Sequence, residues 1–310
     1  MRLLFFGTAA FAVPSLERLH TSGHILVGAV TQPDRPAGRG RQVTASPIAH
    51  AARRLGFSVL QPPSLKDSAT LEALRGMQPD CIVVVAYGNF LPPALLALPP
   101  KCCINIHPSL LPKYRGAAPI NWAILNGDAV TGVTTMYLSE RMDAGDILLQ
   151  REVVIHPTES AAELGERLAP LGAELLVATL DGIAAGTVAA IPQDPAKAVM
   201  APALAKADGR IDWRRPARIL FNQIRGMQPW PNAYTHCQNA RLTIFRAEVL
   251  DDTVDAAPGT VVQCTRAIHV ATGDRRQICL TDVQPAGGKR MPAQDFLRGH
   301  HLAPGLVLGA

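Results

Sequence analysis

Asn105 and His107 stand two apart in the run Ile104-Asn105-Ile106-His107-Pro108-Ser109-Leu110-Leu111-Pro112. On an extended strand that spacing puts both side chains on one face, and Pro108, which has no N–H for a ladder, ends the strand just after them. The carboxamide offers a hydrogen-bond donor, and the imidazole can carry a proton near neutral pH. An acid, Asp143, follows 36 positions after His107 in Met142-Asp143-Ala144-Gly145-Asp146, with Asp146 as its rival. Polar groups at the C-terminal end of a buried parallel strand lie where open α/β sheets bind ligands. Taken alone, the nonapeptide fits equally a buried asparagine and a satisfied histidine capping a turn.

Other chemistries lack their residues. The first turn, Gly7-Thr8-Ala9-Ala10-Phe11-Ala12, has one glycine where a dinucleotide fingerprint needs three, and Val30-Thr31-Gln32-Pro33 ends the second strand without an acid for a ribose. Ser109 lacks the G-x-S-x-G elbow of a covalent hydrolase. The six cysteines form no CxxC pair and no metal-like spacing with histidine, so they read as reduced core residues of a cytoplasmic protein, and no metal is expected.

The elements that must position these groups follow an α/β order. Residues 3–6 form an apolar run closed by Gly7-Thr8, then Val13, Leu16 and Leu19 keep helical spacing, and residues 25–30 form the next strand. Strand, turn, helix, strand is the unit of a doubly wound Rossmann-like domain with a mostly parallel sheet. Residues 81–86 and 102–106 read as buried strands, 117–126 as a helix, 132–138 and 147–155 as strands, and a long helix with Leu164, Leu168, Leu171, Leu175 and Leu176 on one stripe ends near Gly186. Pro192, Pro195 and Pro202 mark a linker. Beyond it come a helix over 216–225 and short alternating runs at 242–249, 260–262, 268–272 and 278–283, the spacing of a small OB-like β-barrel. The organisation predicted is a catalytic domain over 1–189, a linker over 190–207 and a C-terminal domain over 208–310.

Composition agrees with two folded domains: 310 residues, 48% hydrophobic and 18% charged. The net charge of +5 is uneven, because residues 1–200 carry 16 basic and 16 acidic side chains and residues 201–310 carry 14 and 9. A balanced body with a basic last third fits an enzyme joined to a domain facing a polyanion, although a solvated basic surface gives the same sum. The start, Arg2 followed by apolar residues and Ala10-Phe11-Ala12, has the outline of a signal peptide but serves better as strand, turn and helix. No apolar run approaches the ~18 residues of a membrane span, and a monomer without a membrane partner is expected.

The strand ending N-x-H, the S-L-L-P run and the D-x-G loop together resemble the folate-dependent formyltransferases. That resemblance implies catalysis by Asn105, His107 and Asp143: an amide donor for an oxyanion, an imidazole that donates or relays a proton, and a carboxylate that favours the imidazolium. It implies a site for 10-formyltetrahydrofolate lined by Ser109, Leu110, Leu111 and Pro112, by Tyr87, Gly88, Asn89, Phe90 and Leu91 after the 81–86 strand, and by Ser139, Glu140, Arg141 and Met142. Against the family pattern, Ala9 replaces a usual proline, Ala144 a common threonine and Asn89-Phe90 a usual aliphatic pair.

The acceptor must come from other features. Residues 31–41, Thr-Gln-Pro-Asp-Arg-Pro-Ala-Gly-Arg-Gly-Arg, form a Pro/Gly loop with Arg35, Arg39 and Arg41 and no apolar anchor. This loop, with Asp208-Gly209-Arg210-Ile211-Asp212-Trp213, Ile224-Arg225-Gly226 and Pro229-Trp230-Pro231, closely resembles the tRNA-directed branch of the family. The branch formylates the methionyl amino group of initiator tRNA, and the resemblance carries over Arg39, in the Gly-Arg-Gly centre, as the loop's tRNA contact, with Arg35 and Arg41 expected to contact tRNA beside it. Trp213 and Trp230 can stack on bases, but core packing is the reading favoured for both. Alternatives are a formyltransferase for the amine of a nucleotide sugar, which needs no arginine loop, and a non-catalytic RNA- or folate-binding relative. Glycinamide ribonucleotide formylation is disfavoured by the length and the basic third.

Overall fold

A computed structural model describes residues 1–37 and 42–309, in which the chain divides into two compact units. Met1–Gly116, Thr131–Val154 and Gly165–Ala201 form the first; Ala117–Val130, Ile155–Leu164 and Pro202–Ala310 form the second.

The elements in order are β1 (Arg2–Gly7), α1 (Val13–His20), β2 (Ile25–Val30), β3 (Arg35–Ala37), β4 (Gln42–Thr44), α2 (Pro47–Arg54), β5 (Val59–Leu60), α3 (Ser68–Gly76), β6 (Cys81–Val85), α4 (Pro93–Leu96), β7 (Cys102–His107), α5 (Pro119–Leu125), β8 (Val130–Tyr137), β9 (Ile147–Val154) and α6 (Ala161–Ala185). Seven strands make the first unit's sheet in the order β5-β2-β1-β6-β7-β8-β9. The pairs from β5 through β7 are parallel and β7 pairs β8 antiparallel.

The residues of β1 explain its central place. Leu3 and Phe5 pack on one face with Leu16, Leu19, Ile104 and Leu180, while Leu4 and Phe6 pack on the other with Leu74, Ile82 and Leu95. A strand apolar at every position is stable only where both faces are covered. All four side chains are fully buried, each contributing roughly 1.5–3 kcal/mol by leaving water. The first apolar run is therefore part of the core. Helix α6 is long and apolar enough to cross a membrane by length and composition; in the fold its Leu168, Leu176 and Leu180 are fully buried. Burial pushes the Cys103 thiol up to about 12, so it is a protonated core group at neutral pH.

In the second unit α7 (Ala217–Gly226) is followed by β10 (Ala233–Cys237), β11 (Ala240–Thr253), β12 (Val261–Cys264), β13 (Ile268–Ala271), β14 (Arg276–Pro285), β15 (Met291–Pro292) and α8 (Ala293–Gly299). The strands pair antiparallel in the order β10-β11-β14-β13-β12, with β15 on β14. Their alternating inward residues, among them Leu242, Ile244, Val270, Leu280 and Val283, share one core with Leu220, Phe221 and Ile224 of α7. Helix α5 belongs to this unit as well: the Asn121 amide donates to the Gly226 carbonyl at 2.7 Å, and a Cβ on Gly226 would lie 3.0 Å from Leu125.

Candidate active site

In the first unit the chain turns one way from β1 to β2 and the other way from β1 to β6, so the strand order reverses between β1 and β6. Crevices form at the carboxyl ends of strands beside such a reversal. The register sets Gly7 against Val85 and Val85 against Ile106, so the loops after β1, β6 and β7 leave from one edge.

Asn105 and His107 share one face of β7, as the alternation requires. The Asn105 carboxamide makes no hydrogen bond to any described residue, and its side chain is partly exposed. His107 is nearly buried and its Nε2 donates to the Tyr114 carbonyl at 2.8 Å. A carbonyl can only accept, so Nε2 carries the hydrogen and Nδ1 is the nitrogen left for chemistry. Nδ1 lies 3.7 Å from Asp143 Oδ2, an ion-pair distance rather than a direct hydrogen bond. Asp143, not Asp146, therefore faces the imidazole.

Local geometry explains why Asp143 reaches it. Asp143 has φ +48°, in the left-handed region, and its Oδ2 also accepts from the Gly116 N–H at 2.9 Å. Gly145 passes so close to β8 that an added Cβ would stand 1.8 Å from the Tyr137 carbonyl oxygen. The glycine of D-x-G is thus a close-approach residue.

The S-L-L-P run is held by its neighbours. Ser109 is fully buried and its hydroxyl donates to the Lys113 carbonyl at 2.6 Å, so this side chain is spent within the turn. Thr134 on β8 donates to the Ser109 carbonyl at 2.6 Å, the Leu111 N–H donates to Thr134 Oγ1 at 3.2 Å, and Gln150 donates to the Leu111 carbonyl at 3.0 Å. Leu111 is buried; Leu110 and Pro112 are partly exposed.

In the loop over 87–91 the Tyr87 ring packs edge-on against Phe6, with centroids 5.3 Å apart, and burial raises its phenol. Its carbonyl accepts from Thr8 Oγ1 and Gln32 Nε2, both at 2.8 Å. Gly88, Asn89 and Phe90 are exposed, Phe90 by 67%, and Leu91 is partly so. Ser139, Glu140, Arg141 and Met142 are exposed, and the Ser139 hydroxyl donates to the Arg141 carbonyl at 3.1 Å. Ser139, Glu140 and Arg141 line a pocket of about 430 Å³ together with Arg115, Ala144, Gln193 and Pro195. Arg115 and Gln193 carried no assignment from the sequence, and the Pro-rich stretch around Gln193 offered none.

Of the arginine loop, Arg39 and Arg41 lie outside the described residues, while Arg35 opens β3. The flanks are not irregular: β3 and β4 pair antiparallel, Arg35 opposite Thr44 and Ala37 opposite Gln42. In the second unit Trp213 is buried, with Nε1 donating to Thr235 Oγ1 at 3.0 Å. Trp230 departs from the core packing expected of it: it is 50% exposed, on the turn between α7 and β10. Among the described residues no group of three or more acidic, histidine or cysteine side chains is placed to hold a metal.

Residues 1–180 match the family described as formyl transferase, and residues 203–301 match the formyl transferase C-terminal domain. A methionyl-tRNA formyltransferase of Moorella thermoacetica is 46% identical over 309 residues, covering 100% of this chain and 99% of that protein. One from Solibacter usitatus is 47% identical with the same coverage. Among solved structures, HypX from Aquifex aeolicus in complex with tetrahydrofolic acid has a TM-score of 0.64 at 19% identity, over 96% of this chain and 47% of that one. An N-formyltransferase from Helicobacter canadensis, in complex with folinic acid and dTDP-3-aminofucose, has a TM-score of 0.67 at 16% identity, over 90% and 98%. These two likenesses are of fold.

Proposed function

The chain belongs to the methionyl-tRNA formyltransferase family, and from that premise we propose that it moves the formyl group of 10-formyltetrahydrofolate to the amino group of methionyl initiator tRNA. The product is N-formylmethionyl-tRNA, used to start translation. The observation that carries this reading is the 46–47% identity to methionyl-tRNA formyltransferases over the whole chain, joined to a polar triad at the edge where an open sheet binds ligands.

The residues present fit a folate. Phe90 and Met142 expose apolar side chains on the loops that flank the site, and the backbone around Leu111 and Tyr87 is pinned by Thr134, Gln150, Thr8 and Gln32. A flat ring system needs such apolar walls and ordered main chain more than charge. The donor supplies a formyl group on nitrogen. During transfer a bond forms from the methionyl amine to the formyl carbon and the bond from that carbon to the folate nitrogen breaks. One proton leaves the amine and one reaches the folate nitrogen.

The chain's own groups meet those demands. The Asn105 amide, without a hydrogen-bond partner among the described residues, donates to the formyl oxygen as negative charge develops there. His107 Nδ1 takes the amine proton, because Nε2 is committed to the Tyr114 carbonyl. Asp143, 3.7 Å away, stabilises the imidazolium and is itself oriented by the Gly116 N–H. Arg35, Arg39 and Arg41 contact the tRNA from the first unit, and the basic excess of residues 201–310 supplies further phosphate contacts.

The test is a formylation assay with 10-formyltetrahydrofolate and three acceptors side by side: methionyl initiator tRNA, methionyl elongator tRNA and an amino-sugar nucleotide. Initiator tRNA should be formylated and the sugar should not; the reverse pattern defeats the proposal. Asn105→Ala should lower kcat by roughly 10²–10³-fold, His107→Ala and Asp143→Asn should nearly abolish turnover, and Arg39→Ala should mainly raise KM for tRNA. Full activity in any of the first three variants would remove that residue from the mechanism.

A further inference from the structure

Gln193 lies in the Pro-rich stretch after α6, where the sequence offers no chemistry. Its carboxamide is nonetheless used at both ends. Nε2 donates to the carbonyl oxygens of Asp143 at 2.9 Å and Gly145 at 2.7 Å. Oε1 accepts from Arg115 Nε at 3.0 Å and Nη2 at 2.7 Å. Carbonyl oxygens cannot donate and a guanidinium cannot accept, so only this orientation of the amide satisfies all four contacts.

The placement matters because of what the four partners do. Asp143 and Gly145 belong to the loop that turns through a positive φ to bring the Asp143 carboxylate to His107. Arg115 immediately precedes Gly116, whose N–H binds that same carboxylate. The stretch carrying Gln193 is itself anchored: the Arg115 N–H donates to the Val199 carbonyl at 2.8 Å, and Ile191 and Ile147 exchange two backbone bonds, each 2.8 Å. One neutral amide thus joins the loop that carries the carboxylate to the turn that orients it, and both are tied to an anchored strand of chain.

We infer that Gln193 is a positioning residue for formyl transfer, holding the Asp143 loop against the Arg115-Gly116 turn so that the carboxylate faces His107 Nδ1. This rests on the reading that Asp143 is catalytic. Gln193 touches no reacting atom in that scheme. Its effect is on kcat through Asp143, since a displacement of about 1 Å at a catalytic group costs on the order of 10²-fold.

The test uses the full chain, with 10-formyltetrahydrofolate and methionyl initiator tRNA, and compares Gln193→Ala with Gln193→Glu. Glutamate still accepts from Arg115 but turns an oxygen toward two carbonyl oxygens, so it separates the two ends of the amide. We expect kcat to fall about tenfold in Gln193→Ala and about a hundredfold in Gln193→Glu, with KM for both substrates within threefold of the parent and unfolding midpoints lowered by only a few degrees, so that both variants are folded under the assay. A Glu variant with parental kcat overturns the inference. So does a loss that appears as raised KM or a collapsed midpoint, which marks a merely structural contact. Asp143→Asn is run alongside: if it is inactive while Gln193→Glu is fully active, only this inference fails, whereas an active Asp143→Asn removes the reading beneath it as well.

Discussion

Gly145→Ala is the substitution for which the structure works out most of the arithmetic. The added Cβ would stand 1.8 Å from the Tyr137 carbonyl oxygen and 2.8 Å from the carbon it is bonded to. An ordinary contact needs about 3.5 Å, so the two segments must part by more than about 1.5 Å. Tyr137 is held in β8, in register with Ile104 of β7, and its N–H is bonded to the Asp146 carbonyl at 2.9 Å. The loop is the weaker partner and takes most of the displacement. Asp143, two residues earlier, then moves on the order of 1 Å, which is enough to break its 2.9 Å bond from Gly116 and widen the 3.7 Å approach to His107. The expected result is a drop in kcat of about 10²-fold with a stability loss of about 1–3 kcal/mol. Initial rates of initiator tRNA formylation would be measured well below the unfolding midpoint, with thermal unfolding followed by circular dichroism. Gly23→Ala, where nothing lies within 4 Å of the new Cβ, is the control and should match the parent in both. Gly145→Ala with kcat within threefold of the parent would refute the claim that this loop's position limits catalysis.

Two further expectations concern the second unit. Arg225 is nearly buried, donating to the Asn222 side chain at 3.1 Å and to the Glu159 carbonyl at 3.1 Å, and burial lowers its guanidinium from the ordinary value. Arg225→Ala removes both of these buried, charge-assisted hydrogen bonds and should cost roughly 2–3 kcal/mol, read from chemical unfolding; a loss below about 0.5 kcal/mol would contradict it. Glu163 closes a capping box with Ser160, accepting from its N–H at 2.8 Å and its hydroxyl at 2.7 Å, and those bonds hold its carboxyl below the usual range. A depressed folded value means the unfolded chain binds the proton more readily, so this stability is fully present above the ordinary carboxylate pKa of about 4.3 and fades as pH falls through the lower folded value. Glu163→Gln should therefore flatten the acid side of the stability profile, by a modest amount because the side chain is half exposed; an unchanged profile would rule the box out as a source of acid sensitivity.

Much of the first unit could be read in its residues. Leu3 through Phe6 and the Cys81 run are apolar at every position, which only a strand covered on both faces tolerates, and the alternation of Asn105 and His107 alone puts two polar groups on one face. The S-L-L-P and D-x-G runs carried a family pattern because turn geometry is local. Periodicity, however, states which face is buried and not what buries it. Helix α5 reads as a piece of the first domain, yet Asn121 bonds Gly226, 105 positions away, and only three-dimensional packing could decide its unit. Trp213 and Trp230 both lie in turns, yet the first is buried and the second half exposed, because residue type does not state which turn folds back onto the core.

The sequence by itself determined the long apolar strands of the first sheet and their doubly wound order, which follow from residue type and short spacing, and its motifs carried the family resemblance that marks Asn105, His107 and Asp143 as candidate reacting groups. Tertiary structure alone decided how those groups are wired. It committed His107 Nε2 to Tyr114, set Asp143 3.7 Å from Nδ1, closed the Ser109 hydroxyl inside its turn and brought Gln193 onto a loop 50 residues before it and an arginine 78 residues before it. Hydrogen bonds between such distant residues leave no periodic trace, because their partners are set by where strands and turns come to rest and not by the neighbours along the chain.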